Sequence, residues 1–182
     1  HVGPAAAPAA RRRFVGQAGL AAMGRTTPLR AALKATLFLH ARTLGYAIDT
    51  SHQPQFTVFR RRVGAEVHLF EVQWDKSGGP RFVINFGKAA AEGVVWHGEA
   101  IAPDALQVHH CRPWLRLQRR RGGSMGCWFQ LRRPLLEQIL TLSREYTPDE
   151  VAHAVVACFA EVEDWFSFGT KGPHVHEPGG TG

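Results

Sequence analysis

Residues 56–87 read FTVFRRRVGAEVHLFEVQWDKSGGPRFVINFG, three runs of alternating apolar and polar residues punctuated by turn formers. The alternation is clearest in Arg81-Phe82-Val83-Ile84-Asn85-Phe86-Gly87, where Phe82, Ile84 and Phe86 share one face because successive strand side chains point to opposite sides. Strands are expected over 56–61, 66–75 and 81–87, with turns at Gly64 and at Ser77-Gly78-Gly79-Pro80. Connections this short make hairpins, so the segment reads as an antiparallel meander. A fourth strand is expected over 126–131, where Cys127, Phe129 and Leu131 alternate with Trp128 and Gln130. The long stretch 88–123 between them reads as irregular, and a loop of that length calls for a packing or functional reason.

Helices flank the meander. Thr27-Pro28 fits an N-cap followed by proline in the first turn, and Leu29, Leu33 and Leu37 recur at four-residue spacing until Gly45 stops the helix. A second helix opens at Pro134 with Leu135, Leu136, Ile139 and Leu140 on one side. A third begins at Thr147-Pro148-Asp149-Glu150, a capping box, and carries the stripe Val151, Val155, Cys158, Phe159 and Val162. The expected fold is therefore α+β: a four-stranded antiparallel sheet with an N-terminal helix and two C-terminal helices packed on one face.

The 182 residues suffice for one domain with a hydrophobic core, expected over 24–169. Residues 1–22 are rich in Ala, Pro and Arg without periodicity, and read as a disordered or non-native extension ahead of a start at Met23. The run Arg11-Arg12-Arg13-Phe14-Val15 has the look of a twin-arginine export signal, but Gln17 and Arg25 interrupt the apolar stretch that such a signal needs. Residues 170–182 lack apolar content and read as a disordered tail. No apolar run approaches the roughly 20 residues of a membrane span, and no membrane partner is expected. Cys111, Cys127 and Cys158 are few, odd in number and widely spaced, which favours a reducing, cytoplasmic setting. The formal charge is +7, of which the three arginines at 11–13 supply +3, leaving +4 for residues 23–182.

In order along the chain, these pieces resemble the bacterial domain-of-unknown-function family 4304. The resemblance rests on Thr43-Leu44-Gly45-Tyr46, the strand Phe56-Thr57-Val58-Phe59-Arg60, the strand at 67–74 with Gln73, and Phe82-Val83-Ile84-Asn85-Phe86-Gly87. It continues through 111–117 with Arg116-Leu117 and the aromatic strand at Trp128, covering residues 29–166. Phe129 departs from it where a second Trp is expected, as do the extra arginines at 119–121. The resemblance implies an α+β fold with no assigned biochemical role.

Three constellations invite chemistry. Gly122-Gly123-Ser124-Met125-Gly126 fits G-x-S-x-G, but an Arg-rich loop precedes Ser124 and a strand is expected after it, the reverse of a nucleophile elbow. His109-His110-Cys111, with His97, His174 and His176, offers zinc-type ligands without the paired spacing that pre-arranges a tetrahedral site. No catalytic residue, metal or cofactor is therefore expected. The stretch RPWLRLQRRR at 112–121 mixes arginine with Trp, a combination that holds phosphate and stacks on bases, or else a solvated loop anchored by Trp114, Leu115 and Leu117.

One sheet face carries Phe70, Val72, Trp74, Phe82, Ile84 and Phe86 and is expected beneath the helices. The other offers Leu69, Glu71, Gln73, Val83 and Asn85, too mixed for a core and too apolar for plain surface. The leading expectation is a non-enzymatic binding or interaction module, its partner another protein, using that face and the Arg-rich loop. Arg60 and Arg116 would supply charge, Gln73 and Asn85 hydrogen bonds, and Trp128 an aromatic platform. The alternative is nucleic-acid binding through Arg112, Arg116, Arg119, Arg120 and Arg121. An enzyme with an unrecognised pocket is the third reading.

Overall fold

The computed structural model describes residues 17–49 and 54–178. Helix α1 (Gln17–Ala35) starts ahead of the expected Thr27, so Pro28 lies inside the helix and forfeits one backbone bond instead of opening it. Residues 1–16 of the expected extension lie outside the described residues. The Thr36 hydroxyl donates to the Ala32 carbonyl at 2.8 Å, and at this back-bonded threonine α1 gives way to α2 (Leu37–Thr43). Leu29, Leu33, Leu37 and Ala41 are buried along one stripe. Gly45, at φ 84°, then lets its own N–H reach the Arg42 carbonyl and the Tyr46 N–H the Ala41 carbonyl, both at 3.0 Å, closing the helix end.

The chain enters the sheet through β1 (Ala47–Ile48) and builds the expected meander from β2 (Phe56–Val63), β3 (Glu66–Trp74) and β4 (Arg81–Ala90). A separate ribbon, β5 (Val94–Trp96) with β6 (Glu99–Ile101), follows. The sheet resumes with β7 (Trp114–Leu117) along β4, and β8 (Phe129–Gln130) pairs with the start of β4. After α3 (Leu135–Thr141) and α4 (Pro148–Phe168), β9 (Val175–His176) pairs with β7. The strand order is β1-β2-β3-β4-β7-β9, antiparallel throughout, with β8 also on β4.

Among the described residues the sheet thus has seven strands where four were expected. The central neighbour of β4 is β7, inside the stretch read as irregular. The expected strand at 126–131 opens instead in a 3-10 turn (Met125–Cys127), and only Phe129 and Gln130 of it pair. Trp114-Leu115-Arg116-Leu117 alternates as a strand should, yet Arg116 and the arginines flanking it resemble a solvated loop until β4 is available to pair with it. The tail read as disordered supplies β9, whose Val175 is buried in the main core.

That core lies between the sheet and α1, α2 and α4. Phe59, Phe70, Phe82, Ile84, Phe86, Leu115 and Phe129 face Val151, Val155, Phe159 and Val162 of α4, and each is fully buried, a stabilisation of about 1.5–3 kcal/mol per side chain. Phe70 stacks on Phe59 at 4.4 Å and meets Phe159 edge-on at 4.9 Å. The capping box of α4 forms as read: the Glu150 N–H donates to Thr147 Oγ1 at 3.1 Å, and the Thr147 N–H to Glu150 Oε2 at 2.6 Å. Helix α3 differs from expectation. Leu135, Leu136, Ile139 and Leu140 face solvent, so only α4 of the two C-terminal helices packs on the sheet.

On the opposite face, the segment after β6 folds back and forms a second cluster from Val58, Val67, Leu69, Leu106, Val108 and Cys111. Gly87 permits this approach, since a Cβ there would lie 2.6 Å from Cys111 Cβ. Part of the sheet face expected to be open is thereby covered.

Candidate binding cleft on the polar sheet face

Strand register places Val58, Glu71, Asn85, Arg116 and His176 in one row across five strands. The cross-strand neighbours in the middle of that row bond directly. Asn85 Nδ2 donates to Glu71 Oε1 and to Gln73 Oε1, each at 2.8 Å. Arg116 Nε donates to Asn85 Oδ1 at 2.9 Å, and its Nη2 reaches Gln73 Oε1 at 3.4 Å. The Arg116 guanidinium also lies 5.7 Å from the Trp114 ring and 5.8 Å from that of Trp128. Of the five residues proposed from sequence, Gln73, Asn85, Arg116 and Trp128 come together.

Trp128 and Arg60 are placed differently from expectation. Trp128 is only 8% exposed, so it backs the arginine and is not an open platform. Arg60 lies outside this hydrogen-bond network and pins the loop to the sheet: it donates to Asp49 Oδ2 at 2.6 Å, to the Pro103 carbonyl at 2.6 Å and to the Leu106 carbonyl at 3.3 Å. The residue that the sequence placed on this face but gave no role is Glu71. Its signal was a carboxylate between Phe70 and Val72 in the middle of a strand buried on both faces.

Glu71 forms part of the floor of a cleft of about 460 Å³ between β2–β3 and the segment 104–109. Phe56, Val58 and Leu106 supply apolar walls, and Asp49, Asp104 and His109 polar ones. Burial pushes the Glu71 carboxyl above its ordinary range, against the opposing pull of the Asn85 hydrogen bond and the Arg116 charge. Asn85 supplies the one hydrogen bond to Glu71's side chain found among the described residues, and it engages Oε1. His109 is held below its ordinary pKa by burial and then by Arg112, which favours neutral imidazole. Among the described residues the cleft holds three carboxylates against the single cation Arg60, an acidic surplus on a basic chain.

The arginines of the 112–121 segment serve five separate partners. Arg112 lies 4.7 Å from the Trp96 ring, and Arg116 belongs to the network above. Arg119 lies 3.9 Å from the Tyr146 ring, which Arg133 also approaches at 4.1 Å. Arg120 pairs with Glu137, and Arg121 Nε donates to the Pro173 carbonyl at 3.1 Å. Among the described residues no three His, Cys, Asp or Glu side chains converge as a metal site requires. Ser124 lies 3.6 Å from Cys127 Sγ and leads into a 3-10 turn, with no base hydrogen-bonded to it among the described residues. Comparison of the chain with models of known protein families, with curated proteins and with solved structures found no match.

Proposed function

We propose that the chain is a non-enzymatic binding module whose cleft receives a cationic side chain, lysine or arginine, from a partner protein. The observation that carries this reading is Glu71: a buried carboxylate on the cleft floor, one oxygen held by Asn85 and backed through it by Arg116. A buried carboxylate gains most from a charge-assisted donor, because desolvation has already been met by the fold. Phe56, Val58 and Leu106 suit the aliphatic stem of such a side chain, and Asp104 adds charge at the mouth.

The test is an NMR titration of the isotope-labelled chain with Nα-acetyl-arginine amide, Nα-acetyl-lysine amide and Nα-acetyl-glutamate. Shifts around Glu71, Val58 and Leu106 with the two cations alone, lost in Glu71→Gln, support the reading. Shifts absent, or equal with the anion, overturn it.

Nucleic-acid binding through Arg112, Arg116 and Arg119 to Arg121 has weaker support, because each guanidinium already has a protein partner. It requires affinity for single- or double-stranded nucleic acid that falls steeply with salt. Failure to bind at low salt eliminates it.

A further inference from the structure

Residues 132–145 leave the sheet and return to it at a single point. Arg132 and Glu145 pair as an isolated β-bridge, the Arg133 N–H donates to the Arg144 carbonyl at 3.0 Å, and the Tyr146 N–H to the Leu131 carbonyl at 2.7 Å. Helix α3 forms the tip of this pinned excursion, and it is inside out. At 100° per residue, Leu135, Leu136, Ile139 and Leu140 fall within an arc of about 140°, while Glu137, Gln138 and Thr141 lie opposite. The polar side turns inward: Glu137 accepts from Tyr146 and Arg120, and Gln138 Nε2 donates to the Arg133 carbonyl at 2.7 Å. The apolar side turns out. Leu135, Leu136, Ile139 and Leu140 are 69–74% exposed, and Leu142 just beyond them is 93% exposed. Five aliphatic side chains in one exposed patch mark a surface that meets something apolar.

A cavity of about 660 Å³ lies at the base of the same excursion, lined by Arg81, Arg132 and Arg144 together with Gln130, Gln138 and Glu145. Gln138 belongs to α3, so the cavity adjoins the helix. Arg81 is paired with Asp75 at 2.7 Å, whereas the Arg132 and Arg144 side chains make no hydrogen bond or ion pair among the described residues. In sequence, residues 112–146 hold eight arginines, no lysine or aspartate and two glutamates, although Arg112 and Arg116 lie on Trp96 and Asn85 and Arg133 is paired with Glu150.

We propose that this excursion is a membrane-surface anchor: the apolar arc of α3 enters the interfacial layer of an anionic phospholipid bilayer while Arg132 and Arg144 at its base hold headgroup phosphates. Shape and charge select this occupant. With each apolar side chain more than two-thirds exposed, α3 is a ridge and not a groove, and a fluid acyl layer accepts a ridge without a preformed slot. A second copy docked through the same face would set Arg132 and Arg144 against the same two arginines of its partner, and residues 1–22, with three arginines and no acid, carry the same sign. An exposed apolar tip and a basic collar are the two signals that together hold a protein on a membrane surface when neither suffices alone. That no helix among the described residues is long and apolar enough to cross a membrane bears on spanning, not on lying in the interface.

The test is co-sedimentation of the full chain with vesicles of phosphatidylcholine alone and of phosphatidylcholine mixed with phosphatidylglycerol. The anionic vesicles should retain the protein at low salt. Retention should fall about tenfold or more at about 0.5 M salt and in Arg132→Ala/Arg144→Ala. Leu136→Asp/Ile139→Asp should lose it by a similar factor while keeping the wild-type unfolding temperature, because both positions are exposed. No retention on anionic vesicles at low salt overturns the proposal, as does undiminished retention of Leu136→Asp/Ile139→Asp. Saturable binding of inorganic phosphate, without vesicle binding, would assign the cavity to a soluble anion and equally overturn it.

Discussion

Arg116 Nε donates to Asn85 Oδ1 at 2.9 Å, and that single bond orients the Asn85 amide so that its NH₂ group points at two acceptors on β3. The amide is thus the joint between a cation on β7 and a carboxylate on β3. Reversing it would face a carbonyl toward Glu71 and Gln73, and an NH₂ group toward a guanidinium. Strand register makes the joint possible, since Glu71, Asn85 and Arg116 are direct cross-strand neighbours.

Asn85→Leu should therefore destabilise the fold by about 2–5 kcal/mol, because it leaves a buried carboxylate and a half-buried guanidinium without their shared partner. Asn85→Asp should cost at least as much near neutral pH, since the new carboxylate keeps Arg116 but confronts Glu71 with no donor. Urea denaturation measures both. An Asn85→Leu variant as stable as the wild type would show that the network adds no stability.

Glu71 makes stability depend on pH in a predictable direction. Its folded carboxyl titrates above the ordinary 4.5, chiefly through burial, so the folded state holds its proton more tightly than the unfolded chain. The favourable contribution is complete below the unfolded value and is lost as pH rises through the folded one. Glu71→Gln has no proton to lose. The stability of the variant relative to the wild type should rise from about pH 4 to about pH 7, and a difference flat across that window would contradict the assignment.

Gly87 and Cys111 test how the loop is seated. Gly87→Ala puts a Cβ 2.6 Å from Cys111 Cβ and 3.2 Å from its Sγ, so the loop must lift, at about 1–3 kcal/mol. In the wild type Cys111 is buried, and burial together with the nearby Glu71 carboxylate pushes its thiol up to about 12. In a Cys127→Ser/Cys158→Ser background, iodoacetamide at about pH 8 should leave Cys111 unmodified until Gly87→Ala is introduced. Equal labelling with and without the alanine would mean that the loop is not seated by this contact.

Local signals carried the sequence reading as far as it went. The alternation of Phe82, Ile84 and Phe86, the Thr147–Glu150 box and Gly45 each act within a few residues, and each forms as read. Strand β7 escaped because Arg116 suggests solvent until a partner strand supplies Asn85, and β9 because two residues anchored by Val175 carry no periodicity. The apolar stripe of α3 was visible but its direction was not: amphipathicity defines a face without saying what lies against it. On the polar sheet face, alternation grouped Glu71 with Gln73 and Asn85 and gave Glu71 no role. Arg60 and Trp128 were read for chemistry that packing then claimed, and Glu71 was passed over because burial alone makes it unusual.

His68 offers the sharpest check of a side-chain assignment outside the cleft. It is buried and stacks on Phe166 at 4.2 Å, its Nδ1 lies 3.2 Å from Arg61 Nη2, and its Nε2 lies 3.2 Å from Glu66 Oε2. A guanidinium only donates, so Nδ1 must accept and the ring proton must reside on Nε2, where it meets Glu66. Arg61 is itself held by Glu163 at 2.8 Å, and Glu163 accepts the Tyr46 hydroxyl at 2.8 Å, tying β2 and β3 to α4. Burial lowers the His68 pKa below 6.5, with the Glu66 hydrogen bond opposing and the Arg61 charge assisting. A lowered folded value means that the His68 contribution is present above the unfolded pKa and is lost as pH falls through the folded one. Wild-type stability relative to His68→Gln should therefore decline below about pH 6.5, and ¹⁵N NMR of the ring should show the Nε2–H tautomer at about pH 7. An Nδ1–H ring, or a midpoint at or above 6.5, would refute the arrangement, because Arg61 could not then be donating to it.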